Sequence, residues 1–189
     1  FRFIKSLWRL TYTHTQNGAC VPLEPASLSP ELKALRRRVH ATISKVTDDI
    51  ARRYKFNTAI AAVMELLNAL SRSSDKSEQG RAVLQEGLET AVLLLAPIVP
   101  HCTDALWQAL GHVDEPLVDA AWPTVDSAAL VREEVAIVVQ VNGKKRAQIE
   151  VPVDCPQTEL ETAALAEPNV RRALDGKSVV KIIVVPGRL

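Results

Sequence analysis

Two sets of cations have the spacing to hold a polyanion. Arg38, Lys45 and Arg52 follow one another at seven-residue intervals, with Arg37 beside the first. On a helix, 100° per residue brings all three within about 40° of one another and strings them along about 21 Å. That reach is enough to track several phosphates. Lys144-Lys145-Arg146 directly follows Asn142-Gly143, a pair that favours a tight hairpin, so three charges crowd one tip. Each set also has a plainer reading. A row of cations on a helix can be a solvated face, and lysines at strand ends guard against edge-to-edge aggregation.

Catalytic and metal-binding patterns are missing from the sequence. There is no Gly-rich phosphate loop and no Gly-x-Ser-x-Gly elbow. The carboxylate pairs Asp48-Asp49 and Glu133-Glu134 are sequence neighbours, which do not face each other on a helix or strand. Cys20, Cys102 and Cys155 are far apart and odd in number, which argues against a disulfide framework or a structural zinc site. Their expected role is that of small buried hydrophobes in a reducing cytosol. His14, His40, His101 and His112 are scattered, and the adjacent His101 and Cys102 do not converge on a helix. Trp8, Trp107 and Trp122 lie beside apolar helical positions or at a connector, where packing suits them better than base stacking.

The elements that would position the cations follow from periodicity. Phe3, Ile4, Leu7, Trp8 and Leu10 form one stripe of a first helix. Gly18, Pro22, Pro25 and Pro30 mark a loop over 16–30. Ser29 can then cap a long helix that opens on Pro30. Its stripe is Leu32, Leu35, Val39, Ile43, Val46, Ile50 and Tyr54. A break at 54–58, with Asn57 or Thr58 as cap, leads to a helix with the face Ile60, Val63, Met64, Leu67 and Leu70. Two more follow, one along Leu84, Leu88, Ala91 and Leu95, the other along Thr103, Leu106, Trp107 and Leu110, ended by Gly111. Five such helices with short loops predict a bundle.

The pattern then changes to period two. Val135, Ile137, Val139 and Val141 alternate, as do Ala147, Ile149 and Val151. An unbulged two-residue turn over Asn142-Gly143 would set Val139 opposite Arg146 and mix apolar with polar on one face. An odd loop, or a bulge at Gly143, pairs odd with odd instead. Residues 157–174 read as one or two helices broken at Pro168, and Val179–Val185 as a strand. The predicted fold is therefore an α-helical bundle followed by a small α+β (ββααβ) domain. The expected boundaries are 1–122 for the bundle, 123–131 for a linker and 132–189 for the second domain.

The 189 residues are 47% apolar and 24% charged, with a net charge of +1, which excludes a disordered or collagen-like chain. The total conceals a split. Residues 1–55 hold 11 Lys/Arg against 4 Asp/Glu, and residues 56–131 hold 3 against 10. The longest apolar run, Ala91 to Val99, is broken by Pro97 and too short to span a bilayer. No secretory signal opens the chain. It starts without Met inside an amphipathic pattern and ends on a turn signal, so a segment of a longer protein is expected.

RRYKFNTAIAAVMELLNAL, LLLAPIVPHCTDALWQALG, the Trp122-Pro123 connector, VVQVNGKKRAQIEVP and the closing VVKIIVVPGRL together resemble the C-terminal part of bacterial leucyl-tRNA synthetases. The likeness runs from about residue 30 to the end. The first two stretches are shared loosely with the isoleucine and valine members of the class I synthetases. The Val141-Asn142-Gly143-Lys144 hairpin with the Val185-Pro186-Gly187-Arg188-Leu189 ending points to the leucine members.

The resemblance implies a parent enzyme that joins leucine to its tRNA using ATP and Mg in the cytoplasm. Residues 1 to about 122 would be its anticodon-binding-type helical domain, one not thought to read the anticodon itself. The residues from about 132 would be the small domain that reaches the tRNA corner. The ATP signatures His-Ile-Gly-His and Lys-Met-Ser-Lys-Ser are absent from this sequence, so the fragment is expected to bind without catalysing and to need no cofactor of its own. Its expected partners are leucine tRNA and the catalytic body of the same chain, with no membrane. The RNA-contact candidates are Lys144, Arg146, Lys145, Arg38, Lys45 and Arg52. Relatives often carry an apolar residue where Lys145 stands, and their ending runs on into one more strand. Two alternatives remain: a helical module that docks a protein through its acidic half, or the equivalent part of an isoleucine or valine ligase.

Overall fold

Ser29 starts the longest helix of the protein. In the computed structural model, its Oγ accepts the Leu32 N–H at 3.3 Å, and Pro30 occupies the first helical position. The structure describes residues 2–131, 134–152, 155–174, 179 and 181–184. The first unit, Phe1–Val131, contains α1 (Arg2–Thr15), α2 (Pro30–Ala51), α3 (Phe56–Arg72), α4 (Glu78–Leu95), α5 (Pro100–Ala109) and the single turn α6 (Ser127–Leu130). The second, Arg132–Leu189, contains β1 (Glu134–Val141), β2 (Lys144–Pro152), α7 (Gln157–Ala166) and α8 (Pro168–Leu174).

In the first unit, α2, α3 and α4 pack on one another, and α5 and α1 close the core. Val39, Ile43 and Val46 of α2 meet Val63, Leu66, Leu67 and Leu70 of α3 and Leu88, Ala91 and Leu95 of α4. Each of these valine, leucine and isoleucine side chains contributes about 1.5–3 kcal/mol on leaving water. Ser77 caps α4, its Oγ accepting the Gly80 N–H at 3.0 Å. Within α4, Gly87 lets α3 come close: a Cβ there would lie 2.5 Å from Leu70 Cδ2.

Two stripes are rotated from their expected positions and a third is shorter. On α1 the buried residues are Leu7, Thr11 and His14, and Trp8 is 46% exposed. On α3, Leu66 is buried and Met64 exposed, because the face centres on Ala59, Val63, Leu66 and Leu70. Tyr54 is not in the α2 stripe at all, since the helix stops at Ala51. The cap of α3 also differs. Lys55 is the capping residue, with no side-chain bond to the helix, and Thr58 Oγ1 instead donates back to the Lys55 carbonyl at 2.8 Å.

Residues 123–131, expected as a linker, lie against α2. Asp126 caps α6 by accepting the Ala128 N–H at 2.9 Å, and α6 packs on α2.

In the second unit, Ile137 pairs with Ile149 and Val139 with Ala147, odd with odd as the alternation requires. The extra residue is not at Gly143. Asn142 (φ 51°) and Gly143 (φ 76°) make a two-residue turn with both residues left-handed, the geometry that suits strand twist. The shift falls between Val139 and Gln140, so Arg146 is the bulged residue. Ala147 and Val151 are buried with Leu160 of α7 and Val170 of α8. The ββαα order is present; of the expected last strand, the described residues Val179 and 181–184 belong to no strand, and 180 and 185 lie outside the described residues. A β-branched run makes a strand only where it finds a half-buried pleated surface, and Ile183 is 71% exposed. The described sheet has two strands.

Candidate nucleic-acid interface

The hairpin tip is built by its turn and its bulge. The left-handed turn brings Lys144 opposite Val141, and the bulge adds Arg146 without a partner across the ladder. Lys144, Lys145 and Arg146 are all exposed, and the next residue, Ala147, faces the core. Lys145 Nζ donates to Gln148 Oε1 at 3.1 Å. Among the described residues none of the three cations has an acidic partner, so their charge is available to an anion.

The cations of α2 are placed differently. Arg38, Lys45 and Arg52 share an exposed side of the helix. Lys45 Nζ lies 2.8 Å from Asp49 Oδ2, and Arg52 lies 2.7 Å from Asp48 Oδ1. Only Arg38 of the three makes no ion pair among the described residues. Lys45 holds the Asp49 carboxyl below the usual carboxylate range, outweighing the burial that acts against its charge. This face is therefore a weaker anion site than its spacing suggests, because two of its three charges are already matched one helical turn away.

Arg37 is engaged elsewhere. Its Nε donates to the Val131 carbonyl at 3.1 Å. Beside it lies a network that the sequence did not reveal. Arg36 Nε donates to Glu86 at 3.1 Å, and its outer nitrogen reaches Asp126 Oδ2 at 2.9 Å. Burial works against the Arg36 charge, but Glu86 and Asp126 outweigh it and raise the guanidinium above its ordinary value. His40 Nδ1 accepts the Asp126 backbone N–H at 3.1 Å, so Nε2 carries the proton and donates to Glu86 Oε1 at 3.2 Å. Trp122 Nε1 donates to Thr47 Oγ1 at 2.9 Å. Residues 122–131 are thus fastened along α2 at Thr47, His40, Arg36 and Arg37. Asp126 is 86 residues from His40 in sequence, and no local pattern links them.

Among the described residues no group of three or more His, Cys, Asp or Glu could hold a metal ion. The three cysteines are free and half-buried rather than fully buried. Cys20 Sγ lies 3.5 Å from His14 Nε2, and burial pushes the Cys102 thiol up. Trp107 is 5% exposed and stacks on His112 at 3.6 Å. A cleft of about 470 Å³ is lined by Leu93, Pro97, His101, Asp104, Leu117 and Trp122, and Asp104 Oδ2 accepts from Gln108 Nε2 at 2.9 Å. Among the described residues no helix is long and apolar enough to cross a membrane.

Comparison with known proteins agrees with this architecture. Residues 33–162 match the family model described as the anticodon-binding domain of tRNA ligase. The chain is 56% identical over 189 residues to the leucine–tRNA ligase of Thioalkalivibrio sulfidiphilus, covering all of this chain and 23% of that protein. It is 56% identical over 188 residues to that of Marinobacter nauticus, covering 22% of it. A solved ternary complex of Agrobacterium radiobacter K84 agnB2 LeuRS, tRNA and LeuAMS superposes on 98% of this chain and 23% of that one, with a TM-score of 0.72 and 28% identity. The chain spans less than a quarter of the length of these relatives. Because the family model covers well over half of its residues, the chain belongs to the anticodon-binding domain family of tRNA ligases.

Proposed function

We propose that this chain is the tRNA-binding C-terminal portion of a leucine–tRNA ligase that works in the cytoplasm. The observation that carries the reading is the 56% identity, over the whole chain, to proteins that are leucine–tRNA ligases. The parent attaches leucine to its tRNA with ATP and Mg, in parts of the protein that this chain does not contain. Here the work is binding. Lys144 and Arg146 meet phosphates of the tRNA corner, and Lys145 adds charge at the same tip. Arg38 is the strongest contributor from α2, with Lys45 and Arg52 partly neutralised by Asp49 and Asp48. A folded RNA corner presents dense phosphates and shape rather than open base edges, so charge dominates the contact.

Binding of a leucine tRNA transcript, measured across a salt series, tests the reading. Phosphate contact releases counterions, so affinity is expected to fall steeply and linearly on a log–log plot. Salt-insensitive association, or none at all, contradicts it.

A further inference from the structure

The turn between α2 and α3 carries a side chain in a backbone conformation it does not favour. Arg53 N–H donates to the Asp48 carbonyl at 3.1 Å and Lys55 N–H to the Asp49 carbonyl at 2.8 Å, the latter a closure one residue wider than the common six-residue helix end, and Tyr54 lies inside it in the left-handed region at φ 53°. Glycine is the usual occupant, because an L side chain there crowds the neighbouring carbonyl. Tyr54 does not offset that cost by packing. It is 75% exposed, and among the described residues its ring has no ring partner and its hydroxyl no hydrogen bond. Strain held at an exposed residue, with no partner among the described residues repaying it, points outward to function.

The surroundings name the kind of partner. Arg52, Arg53 and Lys55 interleave with Tyr54 and Phe56, and residues 51–58 are exposed with the phenyl ring 48% so. Of the two acids nearby, Asp49 is buried and lies 3.5 Å from Arg53 Nη1, and Asp48 is paired with Arg52 at 2.7 Å and lies 4.0 Å from Arg53. Lys55 makes no ion pair among the described residues. Alternating aromatic and cationic side chains on an open tip suit a single-stranded nucleic-acid segment, whose bases stack while its phosphates meet the charges.

We propose that Tyr54 is a stacking platform for an unpaired base of the bound tRNA, with Lys55 holding a flanking phosphate. The proposal rests on the tRNA-binding reading above and adds a second contact to it.

The test compares the chain with its Tyr54→Gly and Tyr54→Phe variants, using a leucine tRNA transcript as probe. Tyr54→Gly is expected to raise the dissociation constant about ten-fold. The salt slope stays unchanged, because no charge is lost, and the melting temperature does not fall, because glycine relaxes the left-handed position. Tyr54→Phe keeps the ring and binds like the parent sequence. A Tyr54→Gly variant that binds as tightly as the unaltered chain overturns the stacking contact. So does a loss of binding accompanied by a lower melting temperature, or a loss of leucylation by the parent enzyme with tRNA affinity unchanged, which would mark a protein contact. If the unaltered chain fails to bind the transcript, the functional reading itself falls.

Discussion

The Arg36 guanidinium and the Asp126 carboxylate meet at 2.9 Å across a sequence separation that the helices of the bundle intervene to span. Asp126 is held below the usual carboxylate range, first by Arg36 and then by the Ala128 N–H. A carboxyl depressed in the folded state contributes stability that is present above its ordinary value, about pH 4, and lost as pH falls through the folded value. Replacing Arg36 leaves Glu86 and Asp126 facing each other without the cation. Arg36→Met is expected to lower stability by about 2 kcal/mol. Arg38→Met, at an exposed and unpaired cation, is expected to stay within about 0.5 kcal/mol. Urea unfolding of the two variants measures the difference.

Gly87 and Leu70 set the closest approach of α3 and α4. A methyl at Gly87 would sit 2.5 Å from a Leu70 methyl that is itself in the core. Gly87→Ala is expected to destabilise by about 1–3 kcal/mol. In a Leu70→Ala background the same change is expected to be neutral or stabilising, since the added carbon enters the space that Leu70 vacates. A double-mutant cycle by denaturant unfolding gives the coupling.

His14 ties the first unit to pH. Gln85 Nε2 donates to Glu89 and to the Leu110 carbonyl, so its Oε1 is the acceptor and His14 Nε2–H donates to it at 2.6 Å. Burial depresses the His14 imidazole below 6.5, Gln85 and Glu89 act to raise it, and Arg81 adds to the depression. A histidine depressed in the folded state takes up its proton more readily when unfolded. Its contribution is therefore complete above about pH 6.5 and is lost as pH falls from there toward the folded value. The chain is expected to be less stable at pH 5.5 than at pH 7.5, and His14→Gln is expected to reduce that difference. Thermal melts at the two pH values check it.

Much of the architecture was legible because it is local. The α2 stripe from Leu32 to Ile50 and the Ser29-Pro30 start need only helical period and capping chemistry. The odd-with-odd pairing of the hairpin needs only that Ile137, Val139, Ala147 and Ile149 share a face. Parity demanded one extra residue, but the expected places for it, an odd loop or a bulge at Gly143, are not where it falls. Asn142-Gly143 keeps its own tight turn, and the extra residue went to Arg146.

What was not legible depends on distant partners or on where an element stops. Asp126 looked like a residue of a linker because its partners, Arg36 and His40, lie on a helix remote in sequence. Tyr54 fitted the apolar spacing of α2, but the helix ends before it and the ring faces water. The pairing of Lys45 with Asp49 and of Asp48 with Arg52 was readable, since both lie at i,i+4. Counting only the cations left those two pairs out.

The hairpin tip gives the most direct test. Lys144→Glu with Arg146→Glu reverses two exposed charges that have no acidic partner among the described residues, and exposed charges contribute little to stability. Measured as leucine tRNA affinity against salt concentration, the double variant is expected to bind more weakly. Its log–log slope is expected to be shallower by up to about two. An affinity and slope identical to those of the unaltered chain would contradict the account. They would make the hairpin cations a guard on the strand edge rather than an RNA contact.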